Sequence, residues 1–320
     1  MPAILQVAIP VPLAQGFDYL PPAGVEAGTI AIGTRLAVPF AGKTRVGVVI
    51  GHARDSSVDA RKLKPALRVL DSAPLISTEL SATLAWAARY YQHPLGEVFE
   101  TALPVGLRTP KPLPSIAPGE RALARTDGSA QPASLPRAGS RAGALFELLG
   151  AGPRSHAQLD EQLPGWRAAA TTLRKRGLIA TTRLALRTLP RAQVAGPRLT
   201  QEQEVAVAAV AAHFGSFAPT LLEGITGSGK TEVYLALIEQ VIARGGQVLV
   251  LVPEIGLTPQ TLRRFRERIQ ARIEVMHSGL ADGERTRAWL ASARGEADVV
   301  IGTRSAVFAP LTRAGLIIVD

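Results

Sequence analysis

Residues 220–231 read Thr220-Leu221-Leu222-Glu223-Gly224-Ile225-Thr226-Gly227-Ser228-Gly229-Lys230-Thr231, and this stretch decides how the last third of the chain folds. From Gly224 it fits the pattern G-x-x-x-x-G-K-[ST] in full. The apolar run 220–222 predicts a strand ahead of it, and the spacing after Lys230 predicts a helix over 230–244. Each residue type has a physical reason. Gly224, Gly227 and Gly229 let the backbone wrap without a Cβ, so that N–H groups, including those of Ile225, Thr226 and Ser228, can point inward at phosphate oxygens. The helix N-terminus adds partial positive charge at the same point. Lys230 can reach the outer phosphates and the Thr231 hydroxyl can ligate Mg²⁺. At average glycine usage of about 7%, a chance match in a chain of this length is on the order of one percent, which leaves a nucleotide triphosphate site as the reading.

Working outward, apolar runs at 248–252, 273–276, 299–301 and 316–319 alternate with helical patterns at 230–244, 259–269 and 283–294. Buried strands alternating with amphipathic helices predict a parallel sheet with helices on both faces. The run Leu316-Ile317-Ile318-Val319 ends in Asp320, the way a carboxylate for Mg²⁺ is presented beside such a loop. The acid normally expected next to it, which would orient the attacking water, is not among these residues.

Upstream, residues 1–105 hold short β-type runs at 3–9, 34–40 and 45–50 between Pro and Gly turns, then a helical pattern at 78–91 with Ser77 as its cap and Leu80, Leu84, Ala87 and Tyr91 on one face. They predict a small β-barrel or curled sheet with appended helices. Residues 109–140 are loaded with Pro, Ala, Ser and Gly and read as a linker or arm. Three short helical patterns follow at 142–149, 155–162 and 166–176, then a polar β-prone stretch to 189. That set suggests a winged helix, a fold used on DNA and also as a spacer. A second Pro/Gly break runs from 189 to 197.

The 320 residues can hold two or three domains. The chain carries a formal charge of +10. Basic surplus favours polyanions, although a sequence that uses Arg freely reaches the same charge without a polyanionic partner. Zero cysteines leave no disulfide and no thiolate metal site within these residues. No apolar run approaches the ~18–20 residues of a membrane span, and no basic segment precedes the first apolar residues, so a cytoplasmic location is expected.

Several motifs, taken together, resemble one family. They are Thr226-Gly227-Ser228-Gly229-Lys230-Thr231-Glu232-Val233-Tyr234, Val252-Pro253-Glu254-Ile255-Gly256-Leu257-Thr258-Pro259-Gln260, His277-Ser278-Gly279, and Gly302-Thr303-Arg304-Ser305-Ala306-Val307-Phe308-Ala309-Pro310. In order and spacing they resemble the first motor lobe of the primosomal protein N′ family, bacterial replication-restart helicases of superfamily 2 that move 3′ to 5′. Val11-Pro12-Leu13, Phe17-Asp18-Tyr19, Val38-Pro39-Phe40 and Tyr90-Tyr91-Gln92-His93-Pro94-Leu95-Gly96 resemble its N-terminal domain.

The resemblance implies three parts: a 3′-DNA-end-binding domain over 1–105, a linker and winged helix over 106–195, and a RecA-like α/β ATP-binding lobe over 196–320, with the second lobe absent. It implies a pocket for a free 3′ end from Phe17, Asp18, Tyr19, Gly42 and Lys64; an aromatic ring stacks on a base and a carboxylate accepts the 3′-OH proton. Exposed cations such as Arg35, Lys43, Arg45, Lys62 and Lys64 would meet phosphates. Gln203 would contact adenine, and Glu254, Thr258, Gln260, Thr303, Arg304 and Ser305 would line a single-strand track. ATP and Mg²⁺ are the implied cofactors. Family members also hold two Zn²⁺ ions on a cysteine-rich module, for which this chain has no ligands. Implied partners are forked and single-stranded DNA with a free 3′ end, primosome proteins and single-stranded DNA-binding protein, with no membrane. The reading is therefore a fork-recognising DNA helicase that starts primosome assembly, represented by an N-terminal part unable to unwind alone. A non-catalytic DNA-structure-binding protein is the rival, and a P-loop enzyme for a small molecule the weaker one.

Overall fold

The computed structural model describes residues 4–113, 120–126, 135–184, 196–225 and 227–320. Two compact units result, Met1–Pro114 with Pro190–Asp320, and Ser115–Leu189. The first and last segments of the sequence thus share a unit.

In the N-terminal part of the first unit, β1 (Ile4–Ala8), β2 (Phe17–Tyr19), β3 (Arg35–Phe40), β4 (Lys43–Ala53) and β5 (Arg68–Val69) form an antiparallel sheet in the order β2-β1-β4-β3-β5. The β3–β4 hairpin turns on Ala41 and Gly42, both at positive φ (46° and 75°), which matches the twist of the flanking strands. Residues 64–67 join the two edges: Leu20 N donates to Lys64 O, Ala66 N to Leu20 O and Leu67 N to Ala37 O. The sheet is therefore curled, as its short strands predict, around Leu5, Val7, Ile9, Leu36, Val38 and Val49. Helix α1 (Thr78–Tyr90) is capped by Ser77, whose hydroxyl accepts from Leu80 N. Its buried stripe is Ser81, Leu84 and Ala88, so the face is rotated from the predicted one and Tyr91 is 70% exposed. Helix α2 (Leu95–Ala102) was not legible in the pattern. Gly96 in its first turn lies so close to the β1 end that a Cβ would stand 1.7 Å from Ile9 O, which gives the Pro94-Leu95-Gly96 stretch a packing reason.

One predicted surface cation is in the core. Arg35 is 0% exposed, and its guanidinium reaches Asp71 through Nε and Nη2, the latter at 2.6 Å, while Nη1 donates to Leu107 O at 2.6 Å. It cannot meet a phosphate. The strand period puts position 35 on the face opposite Leu36 and Val38, where Asp71, beyond β5, and the Leu107 carbonyl cover it and supply the partners that let a charge be buried there.

The second unit has β6 (Glu120–Arg125), α3 (Arg141–Leu148), β7 (Arg154–Ser155), α4 (His156–Gln162), α5 (Trp166–Lys175) and β8 (Ile179–Leu184), with sheet order β7-β6-β8. The three helices match the predicted patterns. Strand β6 lies inside the stretch expected to be a linker: Ala122 and Leu123 are fully buried, and two apolar side chains against neighbouring strands outweigh the Pro/Ser-rich flanks. Of that stretch, residues 114–119 and 127–134 lie outside the described residues, as do 185–195 around the second break.

The C-terminal part of the first unit begins with α6 (Gln201–Ala211), then α7 (Lys230–Ala243), β9 (Gln247–Leu251), α8 (Pro259–Arg268), β10 (Ile273–Met276), α9 (Asp282–Ala293), β11 (Val299–Gly302) and β12 (Ala314–Val319). The four strands are all parallel in the order β10-β11-β9-β12. Leu235, Ile238 and Val241 of α7 and Phe265 of α8 pack on Val248, Val250, Val299, Ile301 and Ile318. Residues 220–222 form no strand: Leu222 packs into a cluster between α6 and α7 while Leu221 is 89% exposed. Three apolar residues marked an apolar segment without specifying a ladder partner. Among the described residues no helix is long and apolar enough to cross a membrane.

Replacing Asp71 with Ala strands a buried guanidinium and is expected to cost about 3–5 kcal/mol, whereas Arg35→Met with Asp71→Leu together costs far less. Urea unfolding of the two variants beside the parent measures both.

Candidate nucleotide site and nucleic-acid interface

The loop after residue 223 meets the requirements of an anion cradle. Gly227 and Gly229 sit at φ 84° and 85°, backbone that side chains rarely adopt, and Gly229 is the cap from which α7 starts. Ser228 N donates to Ile225 O, closing the turn. Lys230 Nζ lies across the loop, 2.7 Å from Gly224 O and 3.1 Å from Ile225 O. Lys230 thus sits at a helix N-terminus, where backbone N–H groups and the partial positive charge favour an anion. Thr226 lies outside the described residues.

Gln203 is placed against this loop by helix capping. Thr200 and Gln203 form a capping box at the start of α6: Gln203 Oε1 accepts from Thr200 N at 3.0 Å, and Thr200 Oγ1 accepts from Gln203 N. The free end of the same amide, Nε2, donates to Ser228 O at 3.2 Å. The side chain expected at adenine thus bridges α6 to the phosphate loop.

The remaining predicted residues gather at the carboxyl ends of the parallel strands, where open α/β sheets bind ligands. Asp320 follows β12, tied to the sheet by its N–H to Leu251 O. Its Oδ1 accepts a 3.1 Å hydrogen bond from the Tyr234 hydroxyl on α7. Burial, then the Asp320 carboxylate, pushes the Tyr234 hydroxyl up to about 12, so it remains a donor. Glu254 stands exposed in a 3₁₀ turn after β9, Thr258 caps α8 by accepting from Thr261 N, and Gln260 is exposed in its first turn. Beyond β11, Arg304 and Ser305 are exposed. Thr303 is buried, its N–H bonded to Met276 O, and acts as support for the other two.

In the curled sheet, Phe17 is half-buried with its ring edge-on to Phe40 at 5.1 Å, beside the Ala41-Gly42 turn. Lys64 is exposed and joined to Leu20 through the backbone. Phe17 alternates with Asp18 along β2 and packs half-buried against the core of the sheet, while Asp18, on the other face of the strand, accepts from Ser56 Oγ through Oδ2 at 2.5 Å. Tyr19 is different. It is 5% exposed, its hydroxyl donates to Pro39 O at 2.9 Å, and burial raises its pKa to about 12. Strand alternation turns it into the core, away from the face that carries Asp18, so its ring is closed to a base.

With the geometry established, comparison with known proteins is direct. The sequence model of the 3'DNA-binding domain (3'BD) matches residues 6–104, and that of the DEAD/DEAH box helicases matches 200–320. Replication restart protein PriA of Haemophilus influenzae is 38% identical over 332 aligned residues, which cover 99% of this chain. Over nearly its whole length the chain is similar to the PriA family. It spans 44% of the length of the Haemophilus PriA. The PriA of Synechocystis sp. is 44% identical over 51% of this chain and 20% of its own length, and that of Bacillus subtilis 53% over 31% and 12%.

Three features of this PriA-like chain were not legible beforehand. Ser56, in the loop after β4, orients Asp18, and Tyr234 orients Asp320. Trp86 and Tyr90 stack at 4.9 Å on the exposed face of α1, with Tyr91 edge-on to Tyr90. The i, i+4 spacing of Trp86 and Tyr90 was the available signal for the last.

A Cβ on Gly229 would stand 2.4 Å from Gln203 Nε2, in a backbone region at φ 85°. Gly229→Ala is expected to destabilise by about 1–2 kcal/mol from the left-handed conformation alone, plus the clash. Adding Gln203→Ala should return the clash part, and a double-mutant cycle in urea reads the coupling.

Proposed function

We propose that this chain is the fork-recognising and nucleotide-binding part of an ATP-dependent 3′-to-5′ DNA helicase, one that recognises stalled or abandoned replication forks and initiates primosome assembly for replication restart. The observation that carries it is the Tyr234–Asp320 hydrogen bond, which brings a strand-end carboxylate to the helix that opens from the phosphate loop. The two matched sequence families support the same reading. Residues 1–105 act as the 3′-end-binding domain, 106–195 as linker and winged helix, and 196–320 as the ATP-binding lobe. The helices and three-stranded sheet of the second unit suit a winged helix.

In the ATP site, the N–H groups of the loop and Lys230 hold the outer phosphates, while the Thr231 hydroxyl and the Asp320 carboxylate hold Mg²⁺. The metal, when bound, draws charge from the phosphoryl oxygens. Tyr234 keeps the Asp320 carboxylate oriented, and Gln203 ties the adenine side of the site to the loop. Single-stranded DNA runs past Glu254, Thr258, Gln260, Arg304 and Ser305. At the fork, Phe17 meets the terminal base, Asp18 accepts from the 3′-OH, and Gly42 leaves room for close approach. Lys43, Arg45, Lys62 and Lys64, all exposed, meet phosphates. On this reading the lobe works with a second lobe, whose arginines complete the ATP site, so that the 320 residues bind forked DNA without separating its strands. Primosome proteins, single-stranded DNA-binding protein and two Zn²⁺ ions belong to the whole machine.

ATP–Mg²⁺ at a hundredfold excess over its Kd should stabilise the chain by roughly 2.7 kcal/mol, and Lys230→Ala should remove most of that gain. Thermal melts at millimolar nucleotide measure it, and equal shifts in parent and variant would rule out the site. For the DNA end, a 3′-phosphate sets an anion against Asp18 and should weaken oligonucleotide binding about tenfold or more, equivalent to ~1.4 kcal/mol. A 5′-phosphate should leave affinity unchanged. Anisotropy titrations that find 3′-hydroxyl and 3′-phosphate strands alike would remove the end pocket.

A further inference from the structure

The residue after Thr231 faces neither nucleotide nor solvent. Glu232 is 7% exposed, the third residue of α7, and its carboxylate holds two arginines of α8. Arg264 Nη2 donates to Oε1 at 2.6 Å and Arg268 Nη1 to Oε2 at 3.2 Å. Arg268 is nearly buried and continues through Nε to Glu239 Oε1 at 3.0 Å, about two turns further along the same face of α7. Positions 264 and 268 are four apart and 232 and 239 seven apart, so two helix faces meet along one line of charge. A buried carboxylate stripped of its cations is costly, so a displacement of the first turn of α7 drags α8 with it rather than breaking the pairs. Helix α8 opens at Thr258 and Gln260, which the proposed function places on the DNA track.

We infer that Glu232 is a positioning residue that couples the phosphate loop to helix α8, so that nucleotide and single-stranded DNA each change the affinity for the other. The inference rests on the proposed function, because it needs both ligands at the stated sites. It adds the physical link between them: Thr231 and Glu232 are adjacent in the chain, and α8 runs as one continuous helix from its Thr258 cap through Arg264 and Arg268. Coupling between sites is reciprocal, so it can be read from the nucleotide side alone.

The test measures the Kd of a fluorescent ATP analogue with Mg²⁺ on the 320-residue chain, without and with saturating oligo-dT. The parent is expected to show at least about a fivefold change, the lower end of ordinary site–site coupling. Glu232→Gln keeps the shape and removes the charge; the change should fall below about twofold while the nucleotide Kd without DNA stays within about threefold of the parent. A network that only stabilised the fold would lower the melting temperature and leave the ratio untouched. Arg264→Gln, at a half-exposed position, is run beside it in case the buried variant fails to fold, and should also shrink the ratio. Full coupling in either folded variant overturns the inference, as does a parent that binds both ligands independently. A parent that binds no nucleotide, melting like Lys230→Ala at all concentrations, overturns the proposed function and the inference with it.

Discussion

Successive residues leave an α-helix about 100° apart, and the first two turns or so of α7 use that rotation to meet the parts of the site. Lys230 turns back over the loop, Glu232 reaches α8, Val233 and Leu237 enter the cluster with α6, Leu235 enters the sheet core, and Tyr234 reaches Asp320. The register of this one helix on the parallel sheet therefore sets the distance between phosphate loop, strand-end carboxylate and α8 together. A slip of one residue would move all of them at once. The four strands supply what the helix needs: a parallel floor rich in Val and Ile whose carboxyl ends bring Glu254, Arg304 and Asp320 to a common side.

The N-terminal sheet solves a different problem. Its strands are short, and its two edges would be open without residues 64–67, which bond to Leu20 on one side and Ala37 on the other. That closure places Lys64 beside Leu20, two residues along the chain from Asp18. The proposed end pocket lies at this seam, where the curled sheet protects its edge.

Much of this was legible in the sequence where a side chain's job is local. Helix 78–90 follows from Ser77 and the apolar spacing, β9 to β12 from buried apolar runs, and the loop from glycines whose positive φ no other residue adopts cheaply. What was illegible depends on partners distant in sequence. Arg35 looked like a surface cation because Asp71 lies 36 residues away, and Tyr19 looked available because the turn that fixes its direction is set by the ladder with β1. Strand β6 was hidden by its flanks, since composition averages over a window longer than six residues. Residues 220–222 failed in the opposite sense: hydrophobicity alone does not supply a neighbouring strand. The candidate site followed the same division, with the motif residues visible and the groups that aim them, Ser56 and Tyr234, invisible.

Arginine plays two roles in this chain, and the Arg35 pair separates them by ionic strength. A dry guanidinium held by Asp71 and a carbonyl feels almost nothing of the salt outside, because mobile ions screen only charges they can surround. Lys43, Arg45 and Lys64 stand in water, where each phosphate they touch releases counterions. On the proposed reading, raising salt weakens the phosphate contacts of these exposed cations and leaves the Arg35–Asp71 pair in place. The two kinds of basic residue thus answer to different conditions.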